Sequence, residues 1–534
     1  MDVSIKNNIF DNLNEKQRDI VEDCDSNLYV TACPGSGKTR TLTRKIAYMK
    51  YLFPDSLKKV IAITYTNRAA NEIHERLEIL GVDGDNVWVG TIHQFCLEFI
   101  LRKFGINSKR TARGIKIIDE YISKKYLKEC ADKLGVKYNL YDNLDLRCNT
   151  NGIFLETDAA KLPLIKAYHE KLKENNEIDF DLILTISLVI LERNPVANEI
   201  IAKTIRSIYV DEFQDTSEVQ YQIINKLAHS SSNIKFMFVG DADQAIFTSL
   251  GGVVKTKKEI EDLISGDFIE KTLDGCYRSS QKIVDFYTQF QQNSYSISSF
   301  ANIEDKDSIF CYDKNIHKDK LSDAIAGIIQ SSLESGISEN EICIIAPNQF
   351  ILNPIGKELK EKLPSVNFRS QDIYPIKPDD LSLFYKISFL VFTTRGKRIG
   401  LRKKIADEVI EMLKLDFAVD IKEDFINIDL LDLLNATNSS REDGLEYLNE
   451  KILGTFQKME ISEEKYPVLF SQKNDFFDKA RERIDNPKLQ LSTDIENFRA
   501  IYEIKTGINL STIHKAKGEE LTLSQVFRVT NVEF

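Results

Sequence analysis

Residues Tyr29 to Arg40 read YVTACPGSGKTR, an apolar run that breaks into a glycine-rich turn and ends on Lys-Thr. Backbone N–H groups in such a turn, and at the start of the helix that follows, can cradle a phosphate chain; Lys38 would reach the β and γ oxygens, and Thr39 would ligate Mg2+. Gly35 and Gly37, with Ser36 between them, let the backbone approach without a Cβ in the way. The strict pattern asks for Gly at its first position, where this chain has Ala32. A second run, Ile208 to Thr216 (IYVDEFQDT), ends an apolar strand in adjacent acids. There Asp211 would hold the metal through its water shell, while Glu212 would orient and deprotonate an attacking water. A third run, Phe238 to Gln244 (FVGDADQ), delivers more polar side chains to a strand end. Two such ends argue against a merely solvated acid pair.

These residues need strands to carry them. Asn27 to Thr31, Lys59 to Thr64 (KVIAIT), Ile205 to Val210 (IRSIYV) and Ile234 to Val239 (IKFMFV) read as buried strands, and Lys38 to Lys50 has helical spacing. Strands alternating with helices predict an α/β fold with a parallel sheet. Between Arg102 and Glu177 the sequence turns polar and helix-periodic, as an insertion would. A second α/β segment begins near Lys271, with a strand at Glu341 to Ala346, and residues from about Gly396 to Tyr502 are again helix-rich. The 534 residues suggest three or four domains at about 150 residues each. With 71 Lys and Arg against 82 Asp and Glu, the net charge is −11, so a nucleic-acid site would have to be a local groove. The eight cysteines (Cys24, Cys33, Cys96, Cys130, Cys148, Cys276, Cys311, Cys343) show no metal-site spacing and read as free thiols. The N-terminus is polar, and the apolar stretch Leu381 to Phe392 is too short to span a bilayer, which predicts a cytoplasmic protein.

An ordered series of motifs resembles the UvrD/Rep-type helicases of superfamily 1A, ATP-driven 3′→5′ translocases on single-stranded DNA. LNEKQRDIV (from Leu13) is similar to the glutamine motif, in which Gln17 would read the adenine edge. TACPGSGKTR resembles motif I, where an Ala32 start is normal, and Arg40 would lie against the adenine face. AITYTNRAA (from Ala62) resembles motif Ia and GTIHQF (from Gly90) motif Ib, which implies that Tyr65, Asn67, Thr91, His93 and Phe95 line the DNA channel, with Tyr65, His93 and Phe95 as stacking candidates. Each of those three reads equally well as a core or groove-wall residue. DFDL (from Asp179) resembles the return from the helical insertion, DEFQDT motif II, and GDADQAIF the start of motif III, with Gln244 as the γ-phosphate sensor. LDGCYRS (from Leu273) resembles motif IV, in which Tyr277 would stack on the base and Arg278 contact the γ-phosphate. LSTIHKAKGEEL (from Leu510) resembles motif V, with Gly518 and Glu520 touching sugar and phosphates. The resemblance implies two RecA-like P-loop NTPase domains with parallel sheets, each carrying a helical insertion. Its expected layout is domain 1A at 1–101 and 179–270, insertion 1B at 102–178, domain 2A at 271–395 and 503–534, and a reduced 2B-like insertion at 396–502. ATP and Mg2+ are the implied cofactors, and ATP closing a cleft between the two domains the implied source of movement.

Two departures carry expectations. After Phe247 the chain reads Thr248, Ser249, Leu250, Gly251, where the family has an aromatic and an Arg before Gly, so a stacking platform and a coupling contact would be missing. The sequence runs to Phe534, fourteen residues past Glu520, and shows no motif VI: either the protein is naturally short, or the reading frame is truncated, or another chain completes the site, and without that transition-state Arg weak intrinsic hydrolysis is expected. Two basic runs, Arg102 to Lys116 and Arg395 to Lys404, each hold six Lys or Arg and read either as solvated faces or as duplex contacts. The compact second insertion also resembles the UvrD-like subunit of Gabija-type anti-phage systems, whose partner is an OLD-family nuclease. A competing reading is a nucleotide-gated subunit that binds ATP and DNA and regulates a partner without processive unwinding. A P-loop kinase would not explain the motif series.

Overall fold

The computed structural model describes residues 8–82, 86–139, 144–231, 233–246, 251–292, 295–301, 320–370, 375–379, 381–393, 398–486, 491, 493–502, 507–517 and 526–528. The chain divides into two compact units, Met1–Glu304 and Asp305–Phe534.

The first unit is built on six parallel strands: β1 (Asn27–Ala32), β2 (Lys59–Thr64), β3 (Val87–Thr91), β4 (Ile205–Asp211), β5 (Lys235–Gly240) and β6 (Phe268–Leu273), in the order β3-β2-β4-β5-β1-β6. The four apolar runs read as strands are strands, and the helix read from Lys38 extends over Lys38–Leu52. The runs are continuous because both faces of the sheet are covered. On one face Leu28, Val30, Tyr209, Met237 and Val239 pack with Ile20, Leu42, Ile46, Ile73 and Leu77 of the helices Glu15–Glu22, Lys38–Leu52 and Asn67–Ile79. On the other, Val210, Phe236 and Phe238 are buried, and Tyr221 of helix Glu218–Ser230 stacks on Phe238 with ring centroids 6.2 Å apart.

The order explains the site. The chain leaves β1, crosses to β2 and β3, and only later fills the gap with β4 and β5, so β1 lies beside strands far from it in sequence. Parallel strands all point their carboxyl ends to one edge, and a ligand crevice forms where such crossovers part. The register brings Thr31 level with Gly240, Val239 with Asp211, and Ala32 with Leu273.

The expected domain boundary at 271 is corrected by β6. Residues Phe268–Leu273 pair along the whole of β1, so this strand closes the first sheet, and the first unit runs on to Glu304. Within 102–178, helices Glu120–Leu134 and Leu162–Glu174 pack together, and two short strands, Lys116–Ile117 and Glu177–Ile178, pair at the base. Tyr168 donates to Asp179 Oδ2 at 2.8 Å across that base.

In the second unit the strands β7 (Cys343–Ala346), β8 (Phe368–Ser370), β9 (Ile508–Thr512) and β10 (Val526–Arg528) form a parallel sheet in the order β8-β9-β7-β10. Its core joins Ile344, Ile508 and Leu510 to Ile325, Ile329, Leu352 and Leu359 of the helices Leu321–Glu334 and Gln349–Lys362. Between β8 and β9 the chain builds a helical bundle with its own core, and this starts earlier than 396. Helix Leu383–Phe392 contributes Phe384, Ile387 and Phe392 to it, its Lys386 paired with Glu408. The apolar stretch is thus a buried bundle helix. No described helix is long and apolar enough to cross a membrane, and the seven described cysteines are free thiols.

Candidate functional site

At the end of β1 the chain turns through residues 33–37 into helix Lys38–Leu52. Gly37, at φ 80, is the helix's N-terminal flanking residue, and no side chain caps the first turn. The amides of that turn are therefore left for a ligand, at the positive end of the helix. Gly35 is held at φ 73 against the segment after β6: Tyr277 N–H donates to the Gly35 carbonyl at 2.8 Å. Ser36 is 2% exposed and its hydroxyl has no hydrogen-bond partner among the described atoms. A buried unpaired hydroxyl is costly unless a ligand satisfies it. The loop fits a phosphate chain on that ground.

Lys38, its side chain 9% exposed, lies 3.3 Å from Glu212 Oε2. Burial opposes its charge, but Glu212, Asp241 and Asp211 together raise the Lys38 ammonium above its ordinary value. Asp211 ends β4 at 4% exposure; burial, then the charge of Glu212, push its carboxyl up to about 7 against the pull of Lys38. Three carboxylates around one ammonium leave a buried excess of negative charge, which a divalent cation would relieve. Among the described residues no group of three or more His, Cys, Asp or Glu could hold a metal unaided. Mg2+ usually takes one or two protein ligands and completes its shell with water and phosphate. Thr39 follows Lys38 on the same first turn of the helix, and its carbonyl accepts from the Thr43 hydroxyl at 2.7 Å.

Other expected residues converge on the loop. Gln17, 1% exposed, donates from Nε2 to the Ser36 carbonyl at 3.0 Å and accepts on Oε1 from Asn14 N–H at 3.1 Å, so it braces the loop from helix Glu15–Glu22. Arg40 donates to the Asp11 carbonyl at 3.1 Å. The Tyr277 hydroxyl accepts from Asn14 at 2.6 Å, its ring stacks on Phe300 with centroids 5.6 Å apart, and it stays 42% exposed. Arg278 stands beside Gly35, where a Cβ would lie 2.7 Å from its own. Gln244 donates to Asp241 Oδ2 at 2.7 Å. Ala32 is fully buried at the end of β1. Gly518, Glu520 and, of the altered run, Thr248, Ser249 and Leu250 lie outside the described residues, while Gly251 is described at φ 94. Asp241 and Gln214, within quoted motifs but without a role assigned from sequence, are central to the site's hydrogen bonding.

The channel candidates separate. Tyr65, Thr91 and His93 line a cavity of about 400 Å³ at the ends of β2, β3 and β4, which also reaches Asp211, Glu212 and, from the insertion side, Arg147. Tyr65 is 37% exposed. Burial lowers His93 to about 4, so its ring, set 5.5 Å from that of Phe180, is neutral near pH 7. Thr91 accepts from Gln94 N–H and caps the turn Ile92–Phe95, and Asn67 opens helix Asn67–Ile79. Phe95 corrects the stacking expectation: it is fully buried, stacked on Phe99 at 4.9 Å and edge-on to Trp88 at 5.8 Å. It belongs to an aromatic cluster with Trp88 and Phe99.

A parallel six-stranded sheet with a phosphate loop after its first strand, and carboxylates on neighbouring strand ends, defines a RecA-like P-loop nucleotide-binding domain. Within that class, residues 13–264 match the UvrD/REP helicase N-terminal domain. Similar curated proteins are the ATP-dependent DNA helicases PcrA of Bacillus subtilis, 31% identical over 300 residues (52% of this chain, 39% of the relative), of Leuconostoc citreum, 30% over 296 residues (51% and 38%), and of Staphylococcus aureus, 28% over 309 residues (54% and 41%). The chain spans about two fifths of the length of these relatives.

Proposed function

We propose that this protein is an ATP-driven motor on single-stranded DNA, a UvrD/Rep-type translocase or helicase moving 3′→5′, whose hydrolysis the strand stimulates. The observation that carries the reading is the meeting of Lys38 with Glu212, across the intervening strand β5, and of Arg278 with Gly35 at the carboxyl edge of the parallel sheet, beside a cavity that Tyr65 and His93 share with Asp211 and Glu212. In this reading Ser36 and the loop amides hold the phosphates of ATP, Thr39 and Asp211 hold Mg2+, and Lys38 and Arg278 offset the charge that develops on the transferred group. The metal would supply Lewis-acid polarisation of a phosphoryl oxygen. Glu212 orients the attacking water and takes its proton, and Gln244 responds to the γ-phosphate. Gln17, Arg40 and Tyr277 flank the base, while Gly518 and Glu520 serve sugar and phosphates. Tyr65, Asn67, Thr91 and His93 face the strand.

A place in anti-phage defence with an OLD-family nuclease is a finer part of the proposal and rests on the resemblance of the sequence, whereas a cytoplasmic setting rests on the apolar stretch Leu381 to Phe392 being too short to span a bilayer. Stable co-purification with such a nuclease tests the defence role, and a chain that elutes without one from its own host counts against it.

The central test is the ATPase rate of the full chain with and without single-stranded DNA at low salt. Stimulation is expected, and Lys38→Ala should lower the rate by about 100-fold or more, the scale of losing a charge-stabilising group. No stimulation would overturn the motor reading. Hydrolysis with neither translocation along the strand nor strand displacement would assign the nucleotide-gated regulatory role instead.

A further inference from the structure

Glu212 stands at φ 52, in the left-handed region, which costs a non-glycine residue on the order of 1 kcal/mol or more. The turn behind it, Phe213–Asp215, is fixed by Asp215 N–H on the Glu212 carbonyl at 2.9 Å and by the Tyr221 hydroxyl on the Phe213 carbonyl at 2.9 Å. From this turn Gln214, 1% exposed, reaches in two directions. Its Nε2 donates to Glu212 Oε2 at 2.5 Å, and its Oε1 accepts from Asp241 N–H, just past β5, at 3.1 Å. Asp241 in turn accepts from Gln244. A hydrogen-bonded chain therefore runs Lys38–Glu212–Gln214–Asp241–Gln244 across the ends of β1, β4 and β5.

The fit is close. A Cβ at Gly240 would lie 2.2 Å from Gln214 Oε1 and 2.7 Å from the Phe213 ring, so the glycine makes room for this amide. Only a side chain that both donates and accepts can complete the bridge. A buried amide with both ends satisfied is rigid, and leaving either end unpaired costs about 1–3 kcal/mol. Glu212 Oε2 is shared between Lys38 and Gln214. When Lys38 serves the phosphates, Gln214 still holds that oxygen.

We propose that Gln214 is a positioning residue: it fixes the Glu212 carboxylate and ties it to Asp241, so that the water-orienting acid and the Gln244 sensor share one hydrogen-bonded frame. This rests on the proposed hydrolytic role of Glu212.

The test uses the full chain with Gln214→Leu and Gln214→Glu. For Gln214→Leu, kcat for ATP in the presence of single-stranded DNA should fall about 10- to 100-fold, the usual effect of removing a supporting partner. The Kd of a fluorescent ATP analogue should move less than about threefold, as expected when ground-state binding is spared. Backbone hydrogen exchange at Asp241 should accelerate, because its acceptor is gone. Gln214→Glu keeps the shape and the acceptor but loses the donor, so kcat should fall again while Asp241 stays protected. Unchanged kcat in both variants, a kcat loss matched by an equal rise in Kd, or unaltered Asp241 exchange in Gln214→Leu would each overturn the proposal. A wild-type chain that hydrolyses no ATP would defeat the functional reading itself, and the Asp241 exchange would still decide whether the tether exists.

Discussion

At Gly35, backbone and packing demand the same residue for different reasons. Its φ of 73 disfavours any L side chain, and a Cβ there would meet Arg278 Cβ at 2.7 Å and Cys276 Sγ at 3.0 Å. Arg278 Cβ sits close to its own backbone and cannot swing aside as a chain tip would. Gly35→Ala should therefore displace the segment carrying Arg278, destabilise the first unit by about 1–3 kcal/mol and weaken binding of a fluorescent ATP analogue. Denaturant unfolding and analogue titration check this, and a variant as stable and as tight as wild type would refute it. The glycines and Lys38 were legible because the chemistry allows few alternatives. Phe95 was not. Residues Ile92–Phe95 form one helical turn, in which successive side chains rotate by about 100°, so His93 and Phe95 point to opposite sides. One lines the cavity and the other enters the core, and a motif read as a string does not carry that rotation.

Among the elements, strands buried on both faces announced themselves as apolar runs such as KVIAIT and KFMFV. Edge strands did not. In β6 (FIEKTL) Glu270 is exposed and Lys271 pairs with Asp19, a polar pattern that hid a strand of the first sheet and moved the expected boundary into it. A second element-scale feature also escaped sequence reasoning, since a lysine in a helix usually reaches water. Lys45 on helix Lys38–Leu52 is 2% exposed, and its ammonium donates to the carbonyls of Ile20, at 2.9 Å, and Asp23. It closes the C-terminal end of helix Glu15–Glu22, the element that carries Gln17, and so couples that helix to the phosphate-loop helix. Burial lowers Lys45 to about 8, opposed by Cys24, Asp23 and Asp25. Between about 8 and the ordinary 10.5 the unfolded chain holds this proton and the folded chain has released it, so this group's contribution to stability rises with pH across that window. Lys45→Met should lose that rise and also leave two carbonyls unpaired. Unfolding free energies of both proteins from pH 7 to 10.5 test this: the gap between wild type and variant should widen in favour of wild type as pH increases, and parallel curves would refute it.

For the molecule as a whole, the proposed function requires a net charge of −11 to coexist with a nucleic-acid strand. The basic runs that stand out in the sequence are partly occupied with the fold. Arg402 is 5% exposed and donates at 3.0 Å to the carbonyls of Leu390 and Thr393, closing helix Leu383–Phe392, while Lys404 pairs with Glu408 at 3.7 Å. Arg110 donates to the Glu177 carbonyl and Lys116 pairs with Glu177, both at 2.8 Å, at the base of the insertion. A run of positive charge thus marks helix ends and the base of an insertion as readily as a DNA face, which is why sequence could not choose between the two. With these side chains engaged, and with His93 neutral, a strand would be held largely by stacking and short polar contacts, with few phosphates neutralised. Each phosphate neutralised on a single strand weakens binding about 2.6-fold when salt rises fourfold. Two to four such contacts predict a loss of about 7- to 50-fold in affinity for a labelled oligothymidine between 50 and 200 mM salt, measured by fluorescence anisotropy. A loss beyond about 1,000-fold would mean that the basic runs do face the strand, and binding indifferent to salt would leave stacking alone to hold it.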